Sequence, residues 1–137
     1  VGIVVNNLDK TRDFWINTLG FKLHIEAVEE SPYIDELLAI RDPALTTVKL
    51  IDSNGFIIEL LKFENYQVEN SWSGDLKTTG LTHIALTVDN LDELVDNLKM
   101  QNYQPLSEIK ISPNKKVKVA FVKGPEAIML ELVQELN

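Results

Sequence analysis

Apolar residues come in short runs separated by polar punctuation, and one arrangement of runs occurs twice. Val1-Gly2-Ile3-Val4-Val5-Asn6-Asn7-Leu8-Asp9 is matched by Ile84-Ala85-Leu86-Thr87-Val88-Asp89-Asn90-Leu91-Asp92, with Asn-Leu-Asp at the same place in both. A repeat decides architecture before any single element does. Each copy reads as a Val/Ile/Leu-rich strand running into a helix start. Asn7 or Asp9, and Asn90 or Asp92, are the candidate helix caps. The first helix is predicted from about Asp9 to Leu19, with Phe14, Trp15, Thr18 and Leu19 as its apolar stripe and Gly20 as its stop. The second is predicted from about Asp92 to Gln101, with Leu91, Leu94, Val95 and Leu98 at helical spacing.

Each half ends in a hairpin pattern. Thr47 to Ile51 and Phe56 to Phe63 flank the turn Asp52-Ser53-Asn54-Gly55, where Asn-Gly is a strong hairpin signal. Val117 to Val122 and Ala127 to Gln134 flank Lys123-Gly124-Pro125-Glu126. Phe21 to Val28 and Tyr103 to Ile109 supply one more candidate strand per half, and Ser31 to Arg41 a short helix or loop. Each half is therefore β-α-β-β-β. The domain organisation expected is one domain over 1–137, with module one at 1–63, a polar linker at 64–80 and module two at 81–137.

The chain has 137 residues, 45% of them hydrophobic, enough for a real core. It has no Cys, which excludes a disulfide framework, a thiolate nucleophile and a Cys-based zinc site. A net charge of −8 argues against nucleic acid and against anionic membranes as partners. No apolar run approaches the roughly 20 residues of a membrane span, and no signal peptide is visible. A cytoplasmic location is the expectation. No G-x-G-x-x-G, P-loop or G-x-S-x-G occurs. The basic run Asn114-Lys115-Lys116 reads as a solvated loop or edge.

Two carboxylates stand out. Glu59 sits in Ile57-Ile58-Glu59-Leu60-Leu61 and Glu131 in Met129-Leu130-Glu131-Leu132-Val133, at matching places in the repeat. A continuous apolar run suggests a strand covered on both faces. A carboxylate there needs a partner, because burying it unpaired costs several kcal/mol. A metal cation is one sufficient partner; an Arg or Lys salt bridge is the other. His83 opens the first strand of the second half. Aligning Asn7 with Asn90 sets His83 opposite the residue before Val1. If that residue is His, the halves supply His and Glu twice over, a set suited to Zn, Ni, Co, Fe or Mn. His24 has no repeat counterpart and reads as structural or substrate-facing.

These stretches, with Phe14-Trp15…Leu19-Gly20-Phe21 and Leu81-Thr82-His83, resemble the vicinal oxygen chelate superfamily, which includes glyoxalases, bleomycin-resistance proteins and dioxygenases. The resemblance runs from one end of the chain to the other, leaving Ser31–Ala44 and Glu64–Gly80 unassigned. It implies an α+β fold of two βαβββ modules forming a cup-shaped mixed sheet around one divalent metal. Its metal ligands would be Glu59, His83, Glu131 and the residue before Val1, with Glu59 or Glu131 doubling as general base. The implied activity is that of a metal-dependent isomerase or lyase, glyoxalase- or epimerase-like, acting on a small oxygenated substrate through a metal-stabilised enolate. The alternatives are a metal-free protein that binds small molecules such as antibiotics, and an extradiol-type ring-cleaving dioxygenase. Glu59 favours the four-ligand isomerase and lyase branch. Val4 stands where a glutathione-gripping Arg would be, and Phe63 or its neighbours replace an expected Asn. With Leu61, Trp72 and Phe121 they suggest a more apolar pocket than glutathione would need. A homodimer with swapped modules is compatible with such a repeat.

Overall fold

The computed structural model describes residues 1–66 and 75–137, which fall into two compact units on either side of the intervening stretch. Of the linker expected over 64–80, residues 67–74 lie outside the described residues, and Trp72 with them.

Module one runs β1 (Gly2–Val4), α1 (Leu8–Asp13), β2 (Lys22–Val28), α2 (Tyr33–Leu38), β3 (Leu45–Ile51) and β4 (Ile57–Phe63). Its sheet order is β1-β4-β3-β2, with β1 parallel to β4 and the other pairs antiparallel. Module two runs β5 (Ile84–Thr87), α3 (Leu91–Met100), β6 (Lys110–Ile111), β7 (Val117–Lys123) and β8 (Met129–Glu135). Its order, β5-β8-β7-β6, repeats the first, with β5 parallel to β8. The paired βαβββ architecture read from the sequence is the one observed.

Local chemistry explains where the helices begin and end. Asn7 accepts the Lys10 amide at 3.0 Å and Asn90 accepts the Glu93 amide at 3.2 Å, so the Asn residues are the caps, while Asp9 and Asp92 lie in the first turns. Gly20, at φ +78°, ends the first helix as expected. The helix is not α throughout: Phe14–Thr18 opens into a π turn, with the Leu19 amide reaching the Phe14 carbonyl. Side-chain periodicity cannot show this, because one wide turn shifts positions by only one residue. The turn seats Trp15 edge-on against Phe21, with ring centroids 5.0 Å apart.

Each sheet buries one face. In β4, Ile58 and Leu60 are fully buried, and in β8 so are Leu130 and Leu132; α1 packs near β4, and α3 near β7 and β8. Leu91, Val95 and Leu98 are the buried stripe of α3. The Gln134 side chain accepts the Leu91 amide at 2.7 Å, tying the start of α3 to β8. Lys118 on β7 pairs with Asp92 on α3 and holds that carboxyl below its ordinary range.

One expected element differs. The strand predicted over Tyr103–Ile109 is absent as a strand. Pro105 makes a single bridge to Val122, and β6 is only Lys110–Ile111. Pro105 has no amide hydrogen to give to a ladder, and Asn102 at φ +65° turns the chain just before it.

Two measurements test this scaffold. In urea unfolding, Asn90→Ala should cost about 1 kcal/mol and Leu132→Ala about 2–5 kcal/mol. Asp92 has a lowered carboxyl pKa in the fold, so its contribution is present above the ordinary value of 3.8 and is lost as pH falls through the lower folded value. The stability gap between the native chain and Lys118→Met should therefore close below about pH 3.8.

Candidate metal centre

Leu130 and Leu132 point into the core of module two, so the two-residue period of β8 sends Glu131 to the opposite face. Glu131 stands level with Ala85 on β5 and with Phe121 on β7. His83, two residues before Ala85, shares that face. Its Nε2 lies 3.1 Å from Glu131 Oε2, and its Nδ1 lies 2.8 Å from Thr82 Oγ1. Phe121 meets the imidazole edge-on, with centroids 5.3 Å apart. The ring is thus fixed on three sides by a carboxylate, a hydroxyl and an aromatic ring.

The spacing of this one pair is compatible with a shared cation. Two donors at about 2.1 Å from one ion, at right angles, lie about 3.0 Å apart. The His83–Glu131 separation therefore serves equally for a hydrogen bond and for shared ligation. If Nε2 donates to Glu131, Nδ1 accepts from the Thr82 hydroxyl. If Nε2 is given to a cation, the proton sits on Nδ1 and Thr82 accepts it, the outer hydrogen bond that ligating imidazoles normally make.

Glu59 occupies the corresponding place in module one. It is level with Gly2 on β1, as Glu131 is with Ala85, and Gly2 relates to Ala85 by the same offset as Asn7 to Asn90. The Glu59 amide donates to the Val1 carbonyl at 2.8 Å, extending the pairing ahead of β1. The residue equivalent to His83 would come before Val1, outside the described residues. Glu59 is not without a partner: Lys49, directly across on β3, places Nζ 3.5 Å from its Oε1. Such a half-exposed pair is worth about 0–1 kcal/mol, far below the binding energy of a well-ligated divalent cation.

The continuous apolar runs around both carboxylates predict strands covered on both faces. Instead the Glu59 and Glu131 side chains are 32% and 27% exposed. Beside each carboxylate the buried residues alternate with it, Ile58 and Leu60 flanking Glu59 and Leu130 and Leu132 flanking Glu131, so the demand for a partner is weaker than full burial implies. Sequence reasoning also missed Lys49 and Thr82. Lys49 could have been found from the hairpin register, but the strand bounds read from sequence leave a four-residue turn. In the structure five residues, 52–56, separate the strands. Asp52 accepts the Asn54 and Phe56 amides there, at 2.9 and 2.7 Å, and Gly55 adopts φ +86°. One residue in the turn changes which side chains face each other. His24 is exposed on the outer strand β2, beside a register shift, and Val4 is exposed on β1. Leu61, Phe63 and Phe121 are half-buried. Among the described residues no three His, Asp or Glu side chains gather in ligating position, and no helix is long and apolar enough to cross a membrane.

The family model of the glyoxalase/bleomycin resistance protein/dioxygenase superfamily matches residues 1–121. The chain belongs to this superfamily. It is 26% identical over 132 residues to a lactoylglutathione lyase of Neisseria meningitidis, covering 96% of this chain and 85% of that protein. It is also 26% identical over 131 residues to a lactoylglutathione lyase of Arabidopsis thaliana, covering 95% of this chain but only 41% of that protein. In structure it is similar to a glyoxalase family protein from Bacillus cereus, at a TM-score of 0.90 and 22% identity, over 100% of this chain and 92% of that one. Glyoxalase I from Zea mays follows at a TM-score of 0.73 and 23% identity, over 99% of this chain and 43% of that one. These likenesses show the glyoxalase fold.

The contacts around His83 can be checked directly. In long-range 1H–15N spectra, Glu131→Gln and Thr82→Val should each move the His83 ring-nitrogen signals, whereas Glu135→Gln, at the exposed end of β8, should not. Unmoved signals in Glu131→Gln would mean that the pair does not form in solution.

Proposed function

We propose that the chain is a divalent-metal-dependent isomerase or lyase acting on a small oxygenated substrate. The observation that carries this reading is the His83–Glu131 pair, its donor atoms 3.1 Å apart on one sheet face, with Glu59 at the equivalent position of module one. Superfamily membership and the lactoylglutathione lyases among its relatives support the reaction class. In this reading Glu59, His83 and Glu131 are metal ligands, joined by the residue before Val1. Module one's contribution comes from the same chain or from a second copy. The metal is Zn, Ni, Co, Mn or Fe, and the protein works in the cytoplasm.

A bound divalent cation would supply Lewis-acid polarisation of adjacent substrate oxygens. The chain's own residues do the rest. His83 is held in one orientation by Thr82 and Phe121, which leaves Nε2 directed at Glu131. Glu131 or Glu59 takes the proton from the carbon beside the substrate carbonyl and returns it to a neighbouring atom. The half-buried Phe121, level with Glu131, and Leu61, two residues along β4 from Glu59, give these carboxylates apolar neighbours, which suits an apolar substrate body better than glutathione.

A second reading is a metal-free protein that binds a small molecule without turnover. Lys49 favours it, since it already neutralises Glu59.

Two experiments separate the readings. Protein made in metal-replete medium should carry about one divalent metal per site. Less than about a tenth of an equivalent, with no thermal stabilisation by added Ni, Zn, Co, Mn or Fe, would favour the binding protein. Solvent deuterium should enter the carbon beside the carbonyl across a panel of 2-oxo-thiol adducts, acyl-CoA thioesters and hydroxyketones, under anaerobic conditions with a redox-inert metal. Glu59→Gln or Glu131→Gln should slow that exchange about 10²-fold or more. Turnover only of catechols, and only with Fe(II) and O₂, would replace the isomerase reading with that of a dioxygenase.

A further inference from the structure

Of the chain's asparagines only Asn54 precedes a glycine, and the pair sits in the turn between β3 and β4. Both residues are exposed. Gly55 has open space around it: a Cβ built there would meet no atom within 4 Å. Its amide makes the longest hydrogen bond of the turn, 3.3 Å to the Asp52 carbonyl, at the weak end of the range for N–H···O. Among the described residues Asn54 is held through its backbone amide, and nothing holds its carboxamide. By contrast Asn7, Asn90 and Asn114 each commit the carboxamide oxygen to a backbone amide.

We propose that Asn54 is a site of spontaneous modification by water, with Gly55 as the attacking group and Asp52 as the brake. The Gly55 nitrogen gives up its proton and attacks the carbonyl carbon of the Asn54 side chain. The new C–N bond closes a cyclic imide, and the side-chain nitrogen takes up a proton and leaves as ammonia. Water then opens the ring at either carbonyl, giving aspartate or isoaspartate at this position. One water is consumed, one ammonia is released, and nothing is oxidised or reduced. Glycine favours the attack because no side chain crowds its nitrogen. Asp52 opposes it in two ways. Its Oδ1 accepts the Asn54 and Phe56 amides, at 2.9 and 2.7 Å, and so restrains the backbone on both sides of Gly55, which must rotate for the attack. Its negative charge also disfavours the nitrogen anion. Isoaspartate routes the main chain through the former side chain and adds a carbon to the connection. The length of that connection sets Lys49 opposite Glu59 and Ile51 opposite Ile57. The conversion therefore acts on the register of the hairpin as well as on its charge.

The test is a timed incubation of the full chain in warm, mildly alkaline buffer made with heavy-oxygen water. Peptide mapping by mass spectrometry, with aspartate separated from isoaspartate, reads the result. The native chain should convert at Asn54 ahead of Asn90 and Asn114, taking heavy oxygen into the new acid group. Folded Asp52→Ala should convert roughly tenfold faster than the folded native chain. In urea, where the fit of Ala to φ +86° no longer matters, Gly55→Ala should convert roughly tenfold more slowly than the native sequence. The purified isoaspartate-bearing chain should unfold at lower urea than the native chain. Asn54→Asp, with the charge but the normal backbone, should stay close to native. No conversion at Asn54 in either folded chain, native or Asp52→Ala, would overturn the site. Equal rates in native and Asp52→Ala would overturn the brake, and native-like unfolding of the isoaspartate-bearing chain would overturn the effect on register.

Discussion

In both modules the first and last strands lie side by side and parallel, and the positions of the site residues follow from that pairing. The Glu59 amide reaches the Val1 carbonyl, and the Val5 amide reaches the Leu61 carbonyl; in module two the Val88 amide reaches Val133. These bonds lock Glu59 level with Gly2 and Glu131 level with Ala85. A slip of one residue would turn each carboxylate into the core and a leucine out of it. The fully buried Ile58, Leu60, Leu130 and Leu132 prevent the slip, since their exposure would cost about 1.5–3 kcal/mol each. In each module the candidate residue is held in place by the hydrophobic side of its own strand.

That coupling gives the site residues strand precision rather than loop freedom. Glu59, Glu131, Lys49 and Phe121 all lie within strands, and His83 and Thr82 lie immediately before one. Side chains placed on a rigid ladder hold catalytic distances better than loop residues do. The helices serve the ladder indirectly. Asn7 and Asn90 fix where they start, and Gln134 and Lys118 fasten α3 to the strands that carry Glu131 and Phe121.

Within this shared scaffold the modules have diverged at single positions. Phe121 and Lys49 occupy the same place and alter the chemistry of the adjacent carboxylate without disturbing a backbone bond. A superfamily that spans lyases, resistance proteins and dioxygenases needs such freedom, because a fold fixes positions and side chains fix reactions.

The repeat was legible in the sequence because its signals are local. Val/Ile/Leu runs, the Asn caps, Gly20 and the Asn54-Gly55 turn each act within a few residues. So were the matched carboxylates Glu59 and Glu131, which stand out against apolar neighbours. The strand expected at Tyr103–Ile109 failed because a composition compatible with a strand cannot supply the amide that Pro105 lacks. The π turn at Phe14–Thr18 left no trace in the periodicity. What tertiary structure alone decided was partnership: that Lys49 faces Glu59, and that His83 is held among Glu131, Thr82 and Phe121. Those contacts depend on register across strands, and register is set by loop length and by which face the core demands. No single strand carries that information in its own residues.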